Sequence, residues 1–153
     1  MTNTQSADLA WAAGLFEGEG SANFTGVSPS LHLAMTDEEI VRRFQAVIGR
    51  GRICMPKRKR AHWKQAWWWS AAGQQVEEIV GRLWPHLGTR RREQIIRMLH
   101  RFDVYLAGQQ QKRTRVCERC QGTFLSSFNK PKARWCRPCW ATASWNERRV
   151  HVI

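Results

Sequence analysis

The sequence lacks any long hydrophobic run. No apolar stretch among its 153 residues approaches the roughly 18 residues that a transmembrane helix requires. The N-terminus, MTNTQSADLAW, has neither the basic start nor the apolar segment of a signal peptide. We therefore expect a soluble, non-secreted protein that has no membrane partner.

Acidic residues are scarce and unevenly placed. The chain has 25 Lys and Arg against 12 Asp and Glu, which gives a formal net charge of +13. Residues 1–48 carry two basic and six acidic side chains, whereas residues 49–153 carry 23 basic and six acidic ones. Such a positive field is typical of proteins that bind a polyanion. Because the basic residues are spread over several elements and do not line one amphipathic helix, we favour nucleic acid over a membrane surface.

Hydrophobic periodicity and turn signals predict a mixed α+β domain with the order α-β-β-α-β-β-α-α and one antiparallel sheet. The first helix is predicted to end near Glu17, because Gly18 and Gly20 follow. Thr36 is predicted to cap the second helix, and the last helix is predicted over residues 90–106.

The third and fourth strands are predicted over GRGRICM (residues 49–55) and WKQAWWWS (residues 63–70). Their alternation places Trp67 and Trp69 in the core. Cys54 lies between Ile53 and Met55, so we interpret it as a packing residue.

The composition changes along the chain and predicts four segments. Residues 1–108 form the α+β core, and residues 109–115 form a basic linker. Residues 116–145 contain four cysteines and form a small separate module, and residues 146–153 form a flexible tail.

The stretch WAAGLFEGEGS, residues 11–21, carries an unusual pattern. Ala10, Gly14 and Gly18 recur every four residues, and small residues at this spacing allow a second helix to approach closely. Glu17 and Glu19 would lie at the helix C-terminus, where the macrodipole disfavours an anion. Something outside this helix must therefore stabilise the two carboxylates.

The segment AAGLFEGEG resembles the LAGLIDADG motif of homing endonucleases, with Glu17 and Glu19 in place of its two aspartates. The predicted element order is similar to the core of that family, and LWPHLGTRRREQ resembles the proline-containing segment that opens its later helix. The resemblance covers roughly residues 7–102. It implies an α-β-β-α-β-β-α core of the single-motif type, with an antiparallel sheet that binds DNA.

The resemblance also implies a catalytic site. Glu19 would bind Mg²⁺ or Mn²⁺ beside the scissile phosphate, the carbonyl of Gly18 would assist, and Glu17 is a second candidate ligand. Arg90, with the two arginines that follow it as alternatives, would lie near this site. Since arginine stays protonated at neutral pH, it would stabilise phosphoryl charge and would not donate a proton.

The sequence contains no second copy of the motif. A two-centred site therefore requires a symmetric homodimer, which implies a pseudo-palindromic target in double-stranded DNA. Ala10, Gly14 and Gly18 would form the dimer interface. The family lays its sheet along the major groove, and the matching DNA-contact candidates here are Asn23, Thr25, His32, Lys57, Arg58, Lys59, Arg60, His62 and Lys64.

Four of the five cysteines form two CxxC pairs. Cys117 and Cys120 are followed, after fifteen residues, by Cys136 and Cys139, a spacing typical of zinc sites. Four thiolates complete a tetrahedral site with no open position, so we predict structural Zn²⁺. Aromatic and basic residues lie between the pairs; we expect them to extend the DNA footprint, with a protein-binding ribbon as the alternative.

Three functions are consistent with these features. The first is a site-specific, Mg²⁺-dependent DNA endonuclease of the homing type, encoded by a phage or another mobile element and located in the cytoplasm on the nucleoid. The second is a non-cleaving DNA- or RNA-binding protein, such as a transcription regulator or a splicing maturase. The third is a protein adaptor that uses the zinc module. The sequence favours the first, because both acids of the motif are present and the adaptor leaves them unexplained.

Overall fold

The computed structural model describes residues 3–57, 62–127 and 129–143. It divides into two compact units, Met1–Asp103 and Val104–Ile153, and each is described by itself. Among the described helices, none is both long enough and apolar enough to cross a membrane.

Helices and a single sheet build the first unit. Its elements are α1 (Asn3–Glu19), β1 (Gly20–Phe24), β2 (Pro29–Met35), α2 (Glu38–Ile48), β3 (Arg52–Cys54), β4 (Trp67–Ala72), α3 (Gln75–Leu83), a 3-10 turn (Trp84–His86) and α4 (Thr89–Arg113), which continues into the second unit. The α+β class and the element order predicted from the sequence are confirmed.

The four strands form one antiparallel sheet in the order β1-β2-β4-β3. Gly20 pairs with Leu33 at the start of β1, and Met35 pairs with Trp67 where β2 ends and β4 begins. On the other side of β4, Ile53 pairs with Trp69. The strand that carries the tryptophan run is therefore central, while β1 and β3 are the edges.

The core lies between one face of the sheet and the helices. In β2 and β4 alternate residues point inward, so Leu31, Leu33 and Trp69 are fully buried. Phe44 of α2 links the layers, because its ring packs 6.4 Å from that of Phe16 and 4.9 Å from that of Trp69. Helix α1 contributes its own buried side, which consists of Leu9, Ala12, Ala13 and Phe16.

Helix α1 passes into β1 without a loop. A Cβ at Gly20 would collide with the ring and the carbonyl oxygen of Phe16, so only glycine fits at this junction. The helix ends at Glu19, two residues later than predicted, because the second glycine ends it and Gly18 does not. The end of α1 is therefore fixed directly to the edge of the sheet.

Several local predictions are wrong. Asp37 caps α2 in place of Thr36, because its extended backbone lets the carboxylate accept a hydrogen bond from the N–H of Ile40 at 3.3 Å. Trp69 is buried as predicted, but Trp67 is only partly buried. Cys54 is exposed on β3 and does not pack in the core.

The second unit contains the end of α4, a short antiparallel pair, β5 (Thr114–Val116) and β6 (Thr123–Leu125), and the short helix α5 (Arg137–Thr142). Residues 109–113, which the sequence assigned to a linker, are helical, and the remaining two belong to β5. The tail, residues 146–153, lies outside the described residues.

Candidate active site

The end of α1 presents its two carboxylates differently. Phe16 is buried in the core, and the following turn brings Gly18 and Glu19 to the surface. The side chain of Glu17 is only 30% exposed. Because Glu17 and Glu19 are two residues apart on a helix, they point in different directions.

The carboxylate of Glu17 is held at the start of another helix. Its Oε2 accepts a hydrogen bond from the backbone N–H of Gly88 at 3.2 Å, and its Oε1 lies 3.4 Å from Nη2 of Arg90. Gly88 immediately precedes α4, where unpaired N–H groups and the helix dipole favour an anion. The carboxylate that is disfavoured at the end of α1 is therefore favoured at the beginning of α4.

Two arginines bind the backbone at the end of α1. Nη2 of Arg90 donates to the carbonyl oxygen of Glu17 at 2.8 Å, and Nη2 of Arg91 donates to the same oxygen at 2.7 Å. This carbonyl is among the last four of the helix, which have no partner within it. The two guanidinium groups bring positive charge to the end of α1, which lowers the cost of placing acids there.

Arg91 is buried in the interior, and Arg90 is not. Arg91 is 3% exposed, its guanidinium lies 5.2 Å from the ring centre of Phe16, and it also bonds Gln94. Desolvation lowers the pKa of Arg91 from its usual value, the charge of Arg90 lowers it further, and that of Glu17 raises it. Its Nε is the one buried side-chain polar atom without a partner among the described residues.

Glu19 remains available at the surface. It is exposed, and no hydrogen bond or ion pair joins its carboxylate to another described residue. The adjacent Gly18 is also exposed, and a Cβ built on it would meet nothing within 4 Å. A carboxylate and a backbone carbonyl are oxygen donors of the kind that Mg²⁺ and Mn²⁺ accept.

The small residues of α1 lie together on its outer face. Ala10, Gly14 and Gly18 are all exposed, opposite the buried side of the helix. A Cβ at Gly14 would also meet nothing within 4 Å. The structure thus brings these three residues to one smooth, unobstructed face beside Glu19.

The outward face of the sheet carries some of the predicted DNA contacts. Asn23 and His32 are exposed there, and His32 bonds the hydroxyl of Ser30 at 3.2 Å. Thr25 is exposed in the turn after β1, where its hydroxyl donates to the carbonyl of Ser28. Lys57, His62 and Lys64 are exposed in the connection between β3 and β4. Arg58, Lys59 and Arg60 lie outside the described residues.

Pairing across the sheet adds residues that the sequence analysis missed. One row reads Ser21, His32, Ser70 and Arg52 from β1 to β3. The next row places Trp68, which is 47% exposed, between Ala34 and Cys54. Strand alternation from His32 would identify these residues, but only once the pairing register is known.

The four predicted zinc ligands meet in the second unit. Ligand atoms of Cys117, Cys120, Cys136 and Cys139 all lie within 4.8 Å of one another. The N–H of Cys136 donates to Sγ of Cys117 at 3.3 Å, and the thiols of Cys120 and Cys136 are 3.8 Å apart. The geometry therefore permits one tetrahedral metal ion bound by four sulfurs.

The surroundings of the thiols shift the pKa values of two of them in opposite directions. Burial alone would raise the pKa of Cys117, but backbone hydrogen bonds from Cys136, Cys120 and Arg119 outweigh it and lower the pKa to about 6. The hydrogen bond with Cys136, together with burial, raises the pKa of Cys139 to about 12. The thiol of Cys117 is thus charged near neutral pH, whereas that of Cys139 keeps its proton, which a bound metal ion would displace.

Comparison with solved structures identifies the fold. The homing endonuclease I-CvuI, crystallised with its target (Sro1.3) and Ca, aligns with a TM-score of 0.55 and 19% identity, covering 71% of this chain and 74% of the other. The LAGLIDADG meganuclease I-CpaMI, bound to uncleaved DNA, aligns with a TM-score of 0.50 and 16% identity, covering 65% and 37%. The chain has the LAGLIDADG homing endonuclease fold.

A third structure agrees with this assignment. The group I intron-encoded homing endonuclease I-CeuI, complexed with DNA, aligns with a TM-score of 0.50 and 14% identity over 72% of this chain and 61% of the other. No family model matches the sequence, and no curated protein matches it significantly. The likeness to the LAGLIDADG fold thus lies in the arrangement of helices and strands, with little shared sequence.

Proposed function

We propose that this protein is a site-specific endonuclease that cleaves double-stranded DNA as a homodimer with the help of a divalent metal ion. The observation that carries the proposal is the position of Glu19, an exposed acid without a described partner at the end of α1. It lies beside a small-residue helix face in a LAGLIDADG fold. Two solved structures of I-CvuI are complexes with DNA in the presence of Ca or Mg, and the DNA in the one with Mg is not cleaved. They support a DNA-binding protein that works with a divalent ion.

Glu19 and the carbonyl of Gly18 are the residues that would hold Mg²⁺ or Mn²⁺. Both offer oxygen atoms at the surface, and Mg²⁺ typically takes few protein ligands and completes its shell with water and phosphate oxygens. When bound, such an ion supplies Lewis acidity toward a phosphate and a more acidic water molecule. We assign Glu17 a positioning role, because its carboxylate already bonds Gly88 and pairs with Arg90.

Arg90 and Arg91, at the start of α4, are assigned different roles. Arg91 is buried, donates a hydrogen bond to the carbonyl of Glu17 and thereby holds the end of α1 in place. Arg90 contacts the same carbonyl, but its side chain is 71% exposed, so its guanidinium can also face a phosphate. A fixed positive group beside developing phosphoryl charge stabilises the transition state.

The outer face of α1 is proposed as the dimer interface. Ala10, Gly14 and Gly18 form a surface without protruding side chains, on which the same helix of a second copy can pack closely. An isologous contact of this kind would bring two Glu19 side chains to one twofold axis. One acid from each subunit then serves one strand of a pseudo-palindromic target.

The outward face of the sheet is proposed to contact the DNA. Polar side chains cross it in one row, from Ser21 through His32 and Ser70 to Arg52, and His32 and Arg52 are exposed. Lys57, His62 and Lys64 extend the surface beyond the strands. Arginine and histidine at such positions can bond base edges, whereas lysines in the connection neutralise phosphates.

The cysteine cluster is proposed to bind one structural Zn²⁺. The four sulfurs lie within 4.8 Å of one another, so they would fill all positions of a tetrahedral Zn²⁺ and leave none open for a substrate. We propose that residues 1–108 form the core and residues 116–145 the zinc module, joined by the end of α4 and the first two residues of β5. As a DNA endonuclease, the protein would act on the nucleoid in the cytoplasm and be encoded by a mobile element.

A cleavage selection on randomised DNA tests the proposed function. Incubating the protein with the DNA pool and Mg²⁺, then sequencing the cut ends, should enrich one pseudo-palindromic site cleaved on both strands. Retention of one specific sequence without any cut ends would favour the non-cleaving DNA-binding protein. Absence of both cleavage and sequence enrichment would contradict the proposal and favour the adaptor.

A further inference from the structure

The second unit contains a groove that is separate from the cysteine ligands. It has a volume of about 660 Å³ and lies between β6 and α5. Neither the proposed cleavage reaction nor the cysteine cluster uses it. Its size is within the range that accommodates a ligand of several rings.

The groove is positively charged. Lys130, Lys132, Arg134 and Arg137 line it, and none of its described lining residues is acidic. Arg134 forms an ion pair with Glu118 at 2.6 Å, so its charge is partly used within the unit. Lys132 and Arg137 are exposed and pair with no described acid. The lining therefore favours an anionic occupant.

Aromatic rings share the groove with these cations. Trp135 and Trp140 both line it, with ring centres 6.4 Å apart and planes inclined at 61°. The ammonium of Lys130 lies 5.3 Å from the ring centre of Trp140. Leu125, which is 54% exposed, adds apolar surface on β6. An occupant must therefore offer flat apolar faces as well as negative charge.

We propose that this groove binds single-stranded nucleic acid. Bases would pack against Trp135, Trp140 and Leu125, while the backbone phosphates follow Lys132 and Arg137. Aromatic platforms inside a basic groove are the usual means of holding a single strand. A duplex presents phosphates and base edges to a protein surface, and its base faces are stacked on each other. The indoles in this concave groove can meet base faces only when the strand is unpaired.

This site goes beyond the proposed endonuclease, whose substrate is duplex DNA bound by the first unit.

The test is fluorescence anisotropy with the full chain and three labelled probes: a 12-nucleotide oligo-dT, the corresponding oligo-U and a 12-base-pair duplex. The groove variant is Lys132→Glu with Arg137→Glu. Its matched control is Lys112→Glu with Arg115→Glu, which changes the charge of the same unit equally at exposed residues outside the groove.

The groove variant should bind oligo-dT or oligo-U at least tenfold more weakly, while the control pair should change binding about threefold or less. The slope of log affinity against log salt should fall by roughly 1.4, since each lost phosphate contact on a single strand contributes about 0.7. Duplex affinity should change equally little in both variants. Equal losses in the groove and control pairs would overturn the proposal, because diffuse charge would then explain the binding.

A second pair of variants tests the aromatic contribution. Trp140→Phe should preserve oligo-dT binding, whereas Trp140→Leu should weaken it roughly tenfold, the scale of one lost stacking contact. Zinc content measured on both variants checks that the unit remains folded. Equal affinity of the two folded variants would overturn the proposed stacking. Because these readouts do not require DNA cleavage, failure of the endonuclease proposal would leave their outcome unaffected.

Discussion

At the scale of single residues, two acids in one motif have different surroundings. Glu17 is held by the N–H of Gly88 and by Arg90, whereas Glu19 is exposed and joined to no described residue. The sequence could predict that both acids need a stabilising group outside α1, because a helix C-terminus disfavours them. It could not predict which acid receives that group, because Gly88 and Arg90, which hold Glu17, lie more than 70 positions away in the chain.

The role of Arg91 is not evident from the sequence. Three consecutive arginines begin α4, and no local pattern separates the buried one from its neighbours. Only the contact between the start of α4 and the end of α1 places Arg91 over the ring of Phe16 and on the carbonyl of Glu17. Burial and contact with the end of α1 make it a positioning residue in our account.

Replacing Arg91 with alanine should destabilise the protein by about 2–4 kcal/mol, because the carbonyl of Glu17 loses one of its two charged donors and the interior gains a cavity. Arg90→Ala should cost less than about 1 kcal/mol, since that side chain is largely exposed. Urea unfolding monitored by circular dichroism compares the two. Equal losses of unfolding free energy would contradict the distinction between them.

At the scale of elements, α1 has two dissimilar faces. One side packs Ala12, Ala13 and Phe16 into the core, and the other exposes Ala10, Gly14 and Gly18. The four-residue spacing was sufficient to predict that Ala10, Gly14 and Gly18 share one face, because helical geometry determines this. A glycine in a helix costs stability relative to alanine, so the exposed glycines require a reason such as close packing with another helix.

Gly14→Leu tests whether the exposed glycines of α1 allow a second copy of the helix to pack closely. An added side chain at Gly14 meets nothing within the subunit, so the monomer should fold normally, but two copies of α1 should no longer pack together. Analytical ultracentrifugation should show a monomer at concentrations where the unmodified protein is dimeric. Gly81→Leu on α3 is a matched control, because Gly81 is also exposed and unobstructed. An unchanged dimer in Gly14→Leu would place the interface elsewhere.

The strands show the limit of local reasoning. The sequence predicts a strand over the whole run WKQAWWWS, yet β4 begins only at Trp67. Trp67 pairs with Met35, the last residue of β2, so the length of the neighbouring strand determines where pairing can begin. The position of Cys54 also depends on the neighbouring strands. Its apolar neighbours in the sequence predict a packing residue, but they do not reveal which face of β3 is outward, and Cys54 is exposed.

At the scale of the whole molecule, positive charge is present in both units. Residues 1–103 carry 15 basic and 10 acidic side chains, and residues 104–153 carry 10 and two. The smaller unit therefore has a net charge of +8 and the larger one +5. Composition alone predicted a polyanionic partner, and the structure distributes the basic residues over a sheet face, a helix start and a groove.

Loss of the metal should affect the second unit alone. Cys117→Ser with Cys120→Ser should abolish binding of one Zn²⁺ per chain and make residues 104–143 sensitive to protease, because a unit this small depends on its metal for folding. The thermal transition of the first unit should persist. Cys54→Ser, at an exposed position outside the cluster, should retain the zinc. Full zinc content in the double variant would contradict the four-cysteine site.

The most direct test of the central claim is DNA cleavage by Glu19→Gln on the site obtained from the randomised selection. Glutamine keeps the size of the side chain but removes the charge that would hold a divalent ion. We predict loss of Mg²⁺-dependent cleavage by at least two orders of magnitude, with binding in Ca²⁺ retained. Glu39→Gln, another exposed acid, should cut normally. Cleavage by Glu19→Gln at the unmodified rate would contradict the claim that Glu19 is the metal-binding acid of this protein.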